Sequence, residues 1–201
     1  MENTETNVSN IISKDCLVYS LLGDFSEENK QKIATLQHVI RGQFSDVVWE
    51  TPPSALHITL LVLISSLEGD SDADTSFSTV FPEYHKTIST ILRNYPVIEV
   101  SFNEIKVTQD AIILVGKDKG EFQNIREAFM KSISLRPKQP NIIHATIARF
   151  TQSYPLDEID DFLKTQTIRI TERIHRFKLP RETKKPMLEF EVRKYYELGS
   201  I

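Results

Sequence analysis

Several residue types that support particular kinds of chemistry are scarce in this chain of 201 residues. It contains one cysteine, Cys16, one tryptophan and six glycines. A single cysteine excludes an intrachain disulfide framework and a four-cysteine zinc site, and no spacing of histidines and carboxylates indicates another metal site. We therefore expect no metal and no other cofactor, and a reducing, cytoplasmic location.

Long apolar segments and an excess of positive charge are also lacking. Apolar runs such as residues 60–64 are far too short to span a bilayer, and residues 1–7 are polar and acidic, unlike a signal peptide. The formal net charge is −4, whereas binding to long nucleic acid requires many Lys and Arg side chains. We expect no membrane association and no extended nucleic-acid surface. A small nucleotide or an RNA end remains a compatible partner, and we assume a monomer.

The most informative feature is a short pattern that occurs twice. Residues 56–60 read Leu-His-Ile-Thr-Leu and residues 143–147 read Ile-His-Ala-Thr-Ile. Successive side chains of a β-strand point to opposite faces, so each histidine shares a face with the threonine two positions later. The apolar residues between and around them would anchor each strand from behind.

Two imidazoles and two hydroxyls on facing strands form a cleft with a proton acceptor, a proton donor and two neutral hydrogen-bonding groups. This inventory suits the cleavage of a phosphate ester. We therefore predict His57 and His144 as acid and base, and Thr59 and Thr146 as phosphate-binding residues. In the alternative interpretation, His57 and His144 are half-buried strand histidines, each of which forms a hydrogen bond with the neighbouring threonine.

The order of apolar patterns repeats a coarse unit of strand, helix and motif strand. It predicts an α+β protein with two pseudo-symmetric lobes of antiparallel sheet and flanking helices around a central groove. Residues 1–13 are expected to be a disordered lead-in and residues 14–201 a single bilobal domain. Strands are predicted at residues 16–22, 47–49, 55–64, 97–102, 111–115, 142–150, 167–178 and 187–195, with a turn at 181–186. Helices are predicted at residues 26–41, 82–94, 120–133 and 155–164.

Two loops flank the motif strands. The acidic stretch 65–78 has no apolar period and is predicted to be a loop, either a solvated surface segment or a lid. Before the second motif, Arg136 and Lys138 form the one local positive cluster near a motif. With so few cations, the terminal nucleotides of a substrate are expected to govern binding.

The repeated His-x-Thr resembles the signature of the two-histidine phosphoesterase superfamily, which includes RNA 2′,3′-cyclic phosphodiesterases, also called 2′-5′ RNA ligases. Residues 144–149, His-Ala-Thr-Ile-Ala-Arg, are similar to the family's usual His-x-Thr-Leu-Ala-Arg. The first copy differs, because residues 61–65 read Leu-Val-Leu-Ile-Ser where many members continue into Phe-Leu-Gly. The resemblance covers about residues 15–198 and implies a phosphodiesterase in which the same four residues act.

Four further residues are candidates for contacts with the substrate. Arg149 matches the arginine of the family motif, although a structural ion pair is an equal alternative. Trp49, Phe150 and Tyr154 are candidates for stacking on a base, against the alternative that they pack in the core.

The resulting hypothesis is a metal-independent phosphodiesterase that hydrolyses a 2′,3′-cyclic phosphate or a 2′-5′ linkage of a nucleotide or RNA end. A phosphodiesterase that degrades cyclic oligonucleotide signals would use the same four residues. From another class, a non-catalytic nucleotide-binding module would keep the cleft without turnover.

Overall fold

The chain folds into two antiparallel sheets with flanking helices in a computed structural model that describes residues 5–10, 12–68, 72–133 and 138–199. The strands are β1 (Asp15–Asp24), β2 (Val48–Glu50), β3 (His57–Ser65), β4 (Ile98–Val107), β5 (Ala111–Lys117), β6 (Ile143–Phe150), β7 (Ile170–Ile174), β8 (Arg176–Lys184) and β9 (Glu189–Glu197). The helices are α1 (Glu27–Phe44), α2 (Ala73–Leu92), α3 (Glu121–Ser132) and α4 (Leu156–Lys164).

Each motif strand belongs to a different sheet. The first sheet has the strand order β3-β1-β8-β9, and the second has the order β2-β6-β5-β4-β7. The two sheets meet where β3 and β6 contact each other. This arrangement confirms the predicted α+β class with two lobes, and it brings the two His-x-Thr strands to the centre of the molecule.

Local sequence explains where two of the helices begin. The Ser26 side chain accepts a hydrogen bond from the Asn29 backbone N–H at 3.4 Å, which caps α1. Gly120, before α3, has a φ of 99°, a left-handed conformation that glycine adopts without a steric penalty. Both helices bury an apolar face, with Ile33 and Phe122 among the most buried residues of one core.

The acidic stretch after β3 differs from its predicted loop. Helix α2 begins at Ala73, so residues 73–78 are helical, and the helix continues through Pro82, where we expected it to begin. The Asp74 carboxylate accepts hydrogen bonds from Tyr19 Oη at 2.6 Å and from the Arg181 guanidinium at 2.6 and 2.9 Å. The prediction was wrong for residues 73–78 because charge repetition concealed a carboxylate that anchors the helix to β1 and β8. Residues 69–71 of the predicted loop lie outside the described residues.

The C-terminal strands also differ from the prediction. Residues 167–178 were expected to form one strand, but β7 and β8 belong to different sheets and His175 lies between them. Strand β8 continues to Lys184, through Pro180 and most of the expected turn. A register shift between β8 and β9 at Pro180 explains how a proline is tolerated inside the strand.

The N-terminal segment contacts the second lobe. The backbone N–H groups of Thr6 and Ser9 donate to the carbonyls of Tyr154 and Phe150, each at 2.8 Å, and Thr6 is buried. Residues 5–10, where the sequence predicted a disordered lead-in over residues 1–13, contact this lobe through backbone N–H groups and through side chains such as that of Thr6, whose Oγ1 donates to the Gln152 carbonyl at 3.0 Å.

Candidate active site

Both His-x-Thr motifs present their polar side chains on one face of their strands. His57 and Thr59 of β3 are partly exposed, whereas Ile58 between them is fully buried. On β6, His144 and Thr146 are partly exposed and Ala145 is fully buried. The alternation follows the two-residue period of a strand, as the sequence predicted.

Each motif is followed at once by a β-bulge. In β3, Thr59 pairs with Leu22 and Leu61 pairs with Leu21, so Leu60 is an extra residue. In β6, Thr146 pairs with Ile113 and Ala148 pairs with Ile112, so Ile147 is the extra residue. A bulge changes which later side chains share a face.

The second bulge explains the position of Arg149. In a regular strand, Arg149 and Thr146 would point to opposite faces because they are three residues apart. Their partners on β5, Ala111 and Ile113, are two residues apart, so the bulge brings Arg149 to the face of Thr146. Arg149 therefore lies on the strand face that carries Thr146, and its Nε atom is buried without a hydrogen-bond partner among the described residues.

The two imidazoles are oriented in the same way. Nδ1 of His57 lies 2.7 Å from the Ala55 carbonyl oxygen, and Nδ1 of His144 lies 3.4 Å from the Ile142 carbonyl oxygen. A carbonyl accepts, so each Nδ1 carries the hydrogen and the Nε2 of each neutral ring is left as a proton acceptor. In both motifs the carbonyl belongs to the residue two positions before the histidine, which is a second sign of pseudo-symmetry.

Burial and neighbouring positive charges act on both histidines. The pKa of His57 is lowered from 6.5 to about 4, mainly by burial and to a smaller extent by the charges of Lys185, Lys178 and His144, against the effect of the Ala55 hydrogen bond. Burial also lowers the pKa of His144, with smaller contributions from Arg149 and Arg126. The influence of His144 on His57 indicates that the two imidazoles share one electrostatic environment.

Two lysines near His57 were missed by the sequence analysis. Lys178 Nζ lies 2.5 Å from Asp24 Oδ1, and Lys185 Nζ lies 2.7 Å from Glu182 Oε2. Both come from β8 or the turn after it, which reaches His57 only through pairing with β1. No local pattern in the sequence could have shown this proximity.

Of the three aromatic candidates, Trp49 lies on the same face as Arg149, whereas Phe150 lies in the core and Tyr154 packs against it. Trp49 is partly exposed on edge strand β2 and pairs with Arg149, so the two side chains share a face. Phe150 is 0% exposed within the core, in line with the packing alternative. Tyr154 packs against Phe44 with ring centroids 5.7 Å apart, in line with the packing alternative.

Within residues 5–10, 12–68, 72–133 and 138–199, no group of three His, Cys, Asp or Glu side chains is placed to hold a metal ion. Among the helices of that same part of the chain, none combines the length and apolar character needed to cross a bilayer.

Comparison of whole folds shows that this one is similar to the folds of Escherichia coli LigT and of a solved phosphoesterase. The similar structures include the TT0787 protein of Thermus thermophilus, with a TM-score of 0.64 and 16% identity over 92% of this chain and 100% of that one. They also include Escherichia coli LigT complexed with 3′-AMP, with a TM-score of 0.57 and 12% identity over 93% of this chain and 100% of that one. No family model and no curated protein matches the sequence. At such low identity these structures establish the fold alone.

Proposed function

We propose that this protein is a metal-independent phosphodiesterase that hydrolyses a 2′,3′-cyclic phosphate or a 2′-5′ linkage of a nucleotide or RNA end. The observation that carries the proposal is the pair of histidines whose Nδ1 atoms both lie against a backbone carbonyl, each beside a threonine on the same strand face. A binding site needs no such matched pair of proton-transfer groups. A nucleotide or RNA-end substrate would be met in the cytoplasm.

The reaction requires two proton transfers at phosphorus. Water attacks while one ester oxygen leaves, so the water must lose a proton and the leaving oxygen must gain one. A neutral imidazole accepts the first proton at Nε2, and an imidazolium of the other motif donates the second. The hydroxyls of Thr59 and Thr146 donate to the non-bridging oxygens and stabilise their increasing charge. The identity of the leaving ester oxygen decides which histidine acts as acid.

Arg149 and Trp49 are proposed as the substrate-binding residues beyond the four motif residues. Arg149 lies on the strand face of Thr146, so its guanidinium is placed to neutralise a phosphate oxygen. Trp49 shares its face on the neighbouring edge strand, where a base attached to that phosphate would stack. This placement makes Trp49 the aromatic residue that we propose for base binding.

The charges near the groove favour a short substrate. Lys178 and Lys185 near His57 are each paired with a carboxylate, which limits their ability to bind additional phosphates. At the second motif, Lys138 pairs with Val62 through its backbone, at 2.9 and 3.0 Å, and Arg136 lies outside the described residues. The complex of LigT with 3′-AMP shows that a protein of this fold binds a mononucleotide.

A panel of substrates tests the proposal. We expect mass spectrometry to detect hydrolysis of 2′,3′-cyclic nucleotides or 2′-5′ oligoadenylates, with a mononucleotide or short oligonucleotide turned over within about tenfold of a long RNA at moderate salt. Preferential cleavage of cyclic dinucleotides would instead support the degradation of a cyclic signal. Binding without turnover of any panel member would contradict the enzyme and favour a nucleotide-binding module.

The pH dependence follows from the lowered pKa values. Burial and neighbouring cations keep the pKa of both histidines below 6.5 in the free protein. Because catalysis requires one neutral and one protonated imidazole, kcat/KM is expected to reach its maximum on the acid side of pH 6.5. A bound phosphate anion favours the imidazolium and raises both pKa values, so kcat should reach its maximum at a higher pH. Measured pH profiles in which kcat/KM is largest above pH 7 would contradict this electrostatic account.

A further inference from the structure

A buried glutamine from α1 reaches the bulge of the second motif. The Gln37 side chain is 3% exposed, and its Nε2 donates to the Ile147 carbonyl at 2.7 Å and to the Thr51 carbonyl at 2.8 Å. The Ile147 carbonyl also accepts from the backbone N–H of Thr51 at 2.9 Å. Ile147 is the extra residue that follows Thr146, so Gln37 binds the backbone at the point where the regular strand pairing is interrupted.

A buried arginine from α3 reaches the bulge of the first motif. The Arg126 side chain is also 3% exposed. Its Nε donates to the Leu60 carbonyl at 2.9 Å and its Nη2 donates to the Thr59 carbonyl at 3.1 Å. Leu60 is the extra residue that follows Thr59, so the same backbone position is bound in both lobes.

Arg126 donates to two carbonyls at the first bulge, and Gln37 adds a second donor to the Ile147 carbonyl, which also accepts from the Thr51 N–H. A bulge leaves backbone groups outside the regular ladder of sheet hydrogen bonds, and a buried carbonyl without a donor costs free energy. A side chain from a fixed helix can reach the carbonyl of the extra residue only while that residue keeps its place directly after the threonine. Moving the extra residue to the threonine position would take the threonine out of its regular pairing and change the direction of its side chain.

We propose that Gln37 and Arg126 are positioning residues, each of which fixes the bulge after one His-x-Thr motif and thereby directs that motif's side chains into the groove. The inference rests on the proposed function for its effect on turnover. Neither residue belongs to the His-x-Thr signature, and each reaches its motif from a helix of the same lobe.

Gln37 and Arg126 differ in charge, so the two pseudo-symmetric motifs have different electrostatic surroundings. The amide of Gln37 is neutral, whereas Arg126 adds a buried positive charge that acts on His144 of the opposite motif and helps to lower the pKa of that imidazole. The other charged groups that act on the two imidazoles are Arg149 beside His144 and Lys178 and Lys185 beside His57. Arg126 therefore orients the first motif through hydrogen bonds and influences the second through its charge.

Two substitutions separate these effects for Arg126. Arg126→Lys keeps the charge but cannot bind two adjacent carbonyls with a planar fork, so kcat should fall about tenfold while the pH profile stays in place. Arg126→Gln removes the charge, so kcat should fall and the limb of the profile that belongs to His144 should move to higher pH. Lys131→Gln is the matched control, because it removes an exposed positive charge from the same helix and should change neither property.

For Gln37, the test concerns geometry alone. Gln37→Asn shortens the amide by one methylene, so kcat should fall about tenfold with little change in KM and no shift of the pH profile. Gln31→Asn, at an exposed position of the same helix, is the control and should resemble the original protein. Unchanged kcat in a folded Gln37→Asn or Arg126→Lys variant would overturn the positioning role.

Amide NMR spectra test the same proposal without a substrate. Arg126→Lys should shift the signals of residues 59–61 in β3 more than those of 146–148 in β6, and Gln37→Asn should do the reverse. Shifts confined to the helices would overturn the proposal even if every variant is folded. If the original protein hydrolyses no member of the panel but these shifts appear, the proposed function fails while the positioning role stands.

Discussion

Replacement of either His57 or His144 by alanine is expected to reduce turnover of a 2′,3′-cyclic nucleotide by about 100-fold to 10,000-fold. A positioned general acid or base contributes rate factors of roughly this size, and in the proposed mechanism each imidazole of the pair performs one of the two proton transfers. Both side chains are partly exposed on a groove-facing strand face, so their removal leaves the core intact. Steady-state rates together with circular dichroism would measure the loss and check the fold.

A matched control comes from a histidine on the surface. His38 is exposed on α1, where its Nδ1 lies 3.1 Å from Arg41 Nη2, and it should tolerate alanine with unchanged turnover. If a folded variant at His57 or His144 keeps nearly normal turnover, the motif that contains it has a structural role.

Valine at Thr59 or Thr146 is expected to slow the reaction by about tenfold to 100-fold. A hydroxyl that donates to a charged oxygen contributes about 1.5 to 3 kcal/mol, which corresponds to that range of rates. Serine keeps the hydroxyl, so Thr59→Ser and Thr146→Ser should restore much of the rate. The measurement is kcat and KM for each variant beside its melting temperature.

Thr171→Val provides the control for these substitutions, because Thr171 is an exposed threonine of β7 and should leave the rate unchanged. If valine changes the melting temperature but leaves the rate unaltered, the hydroxyls contribute to packing and do not bind phosphate.

Local periodicity was enough to predict the parts of the fold that depend on neighbours in sequence. The alternation around His57 and His144 predicted their strands and the shared face of each pair, and the structure confirms it. The repeated order of elements predicted two lobes, which the two sheets confirm. These features follow from the two-residue period of a strand, which the sequence displays directly.

The features of the site that the sequence did not reveal depend on contacts between distant residues. Gln37 bonds to a carbonyl 110 residues away and Arg126 to carbonyls 66 and 67 residues away, so no pattern near either motif could reveal them. The bulge that brings Arg149 to the face of Thr146 is equally hidden, because a regular strand would direct this residue away from Thr146. The sequence left stacking and core packing open for Phe150, because its burial depends on packing, which its position beside Arg149 does not show.

The most direct test of the central claim follows a 2′,3′-cyclic nucleotide by phosphorus NMR in the presence of excess metal chelator. The cyclic phosphate signal is expected to be replaced by that of one phosphomonoester at an undiminished rate, and a variant with alanine at both His57 and His144 is expected to produce no such conversion. Loss of turnover on addition of chelator, or equal turnover by the double variant, would contradict catalysis by two histidines without a metal.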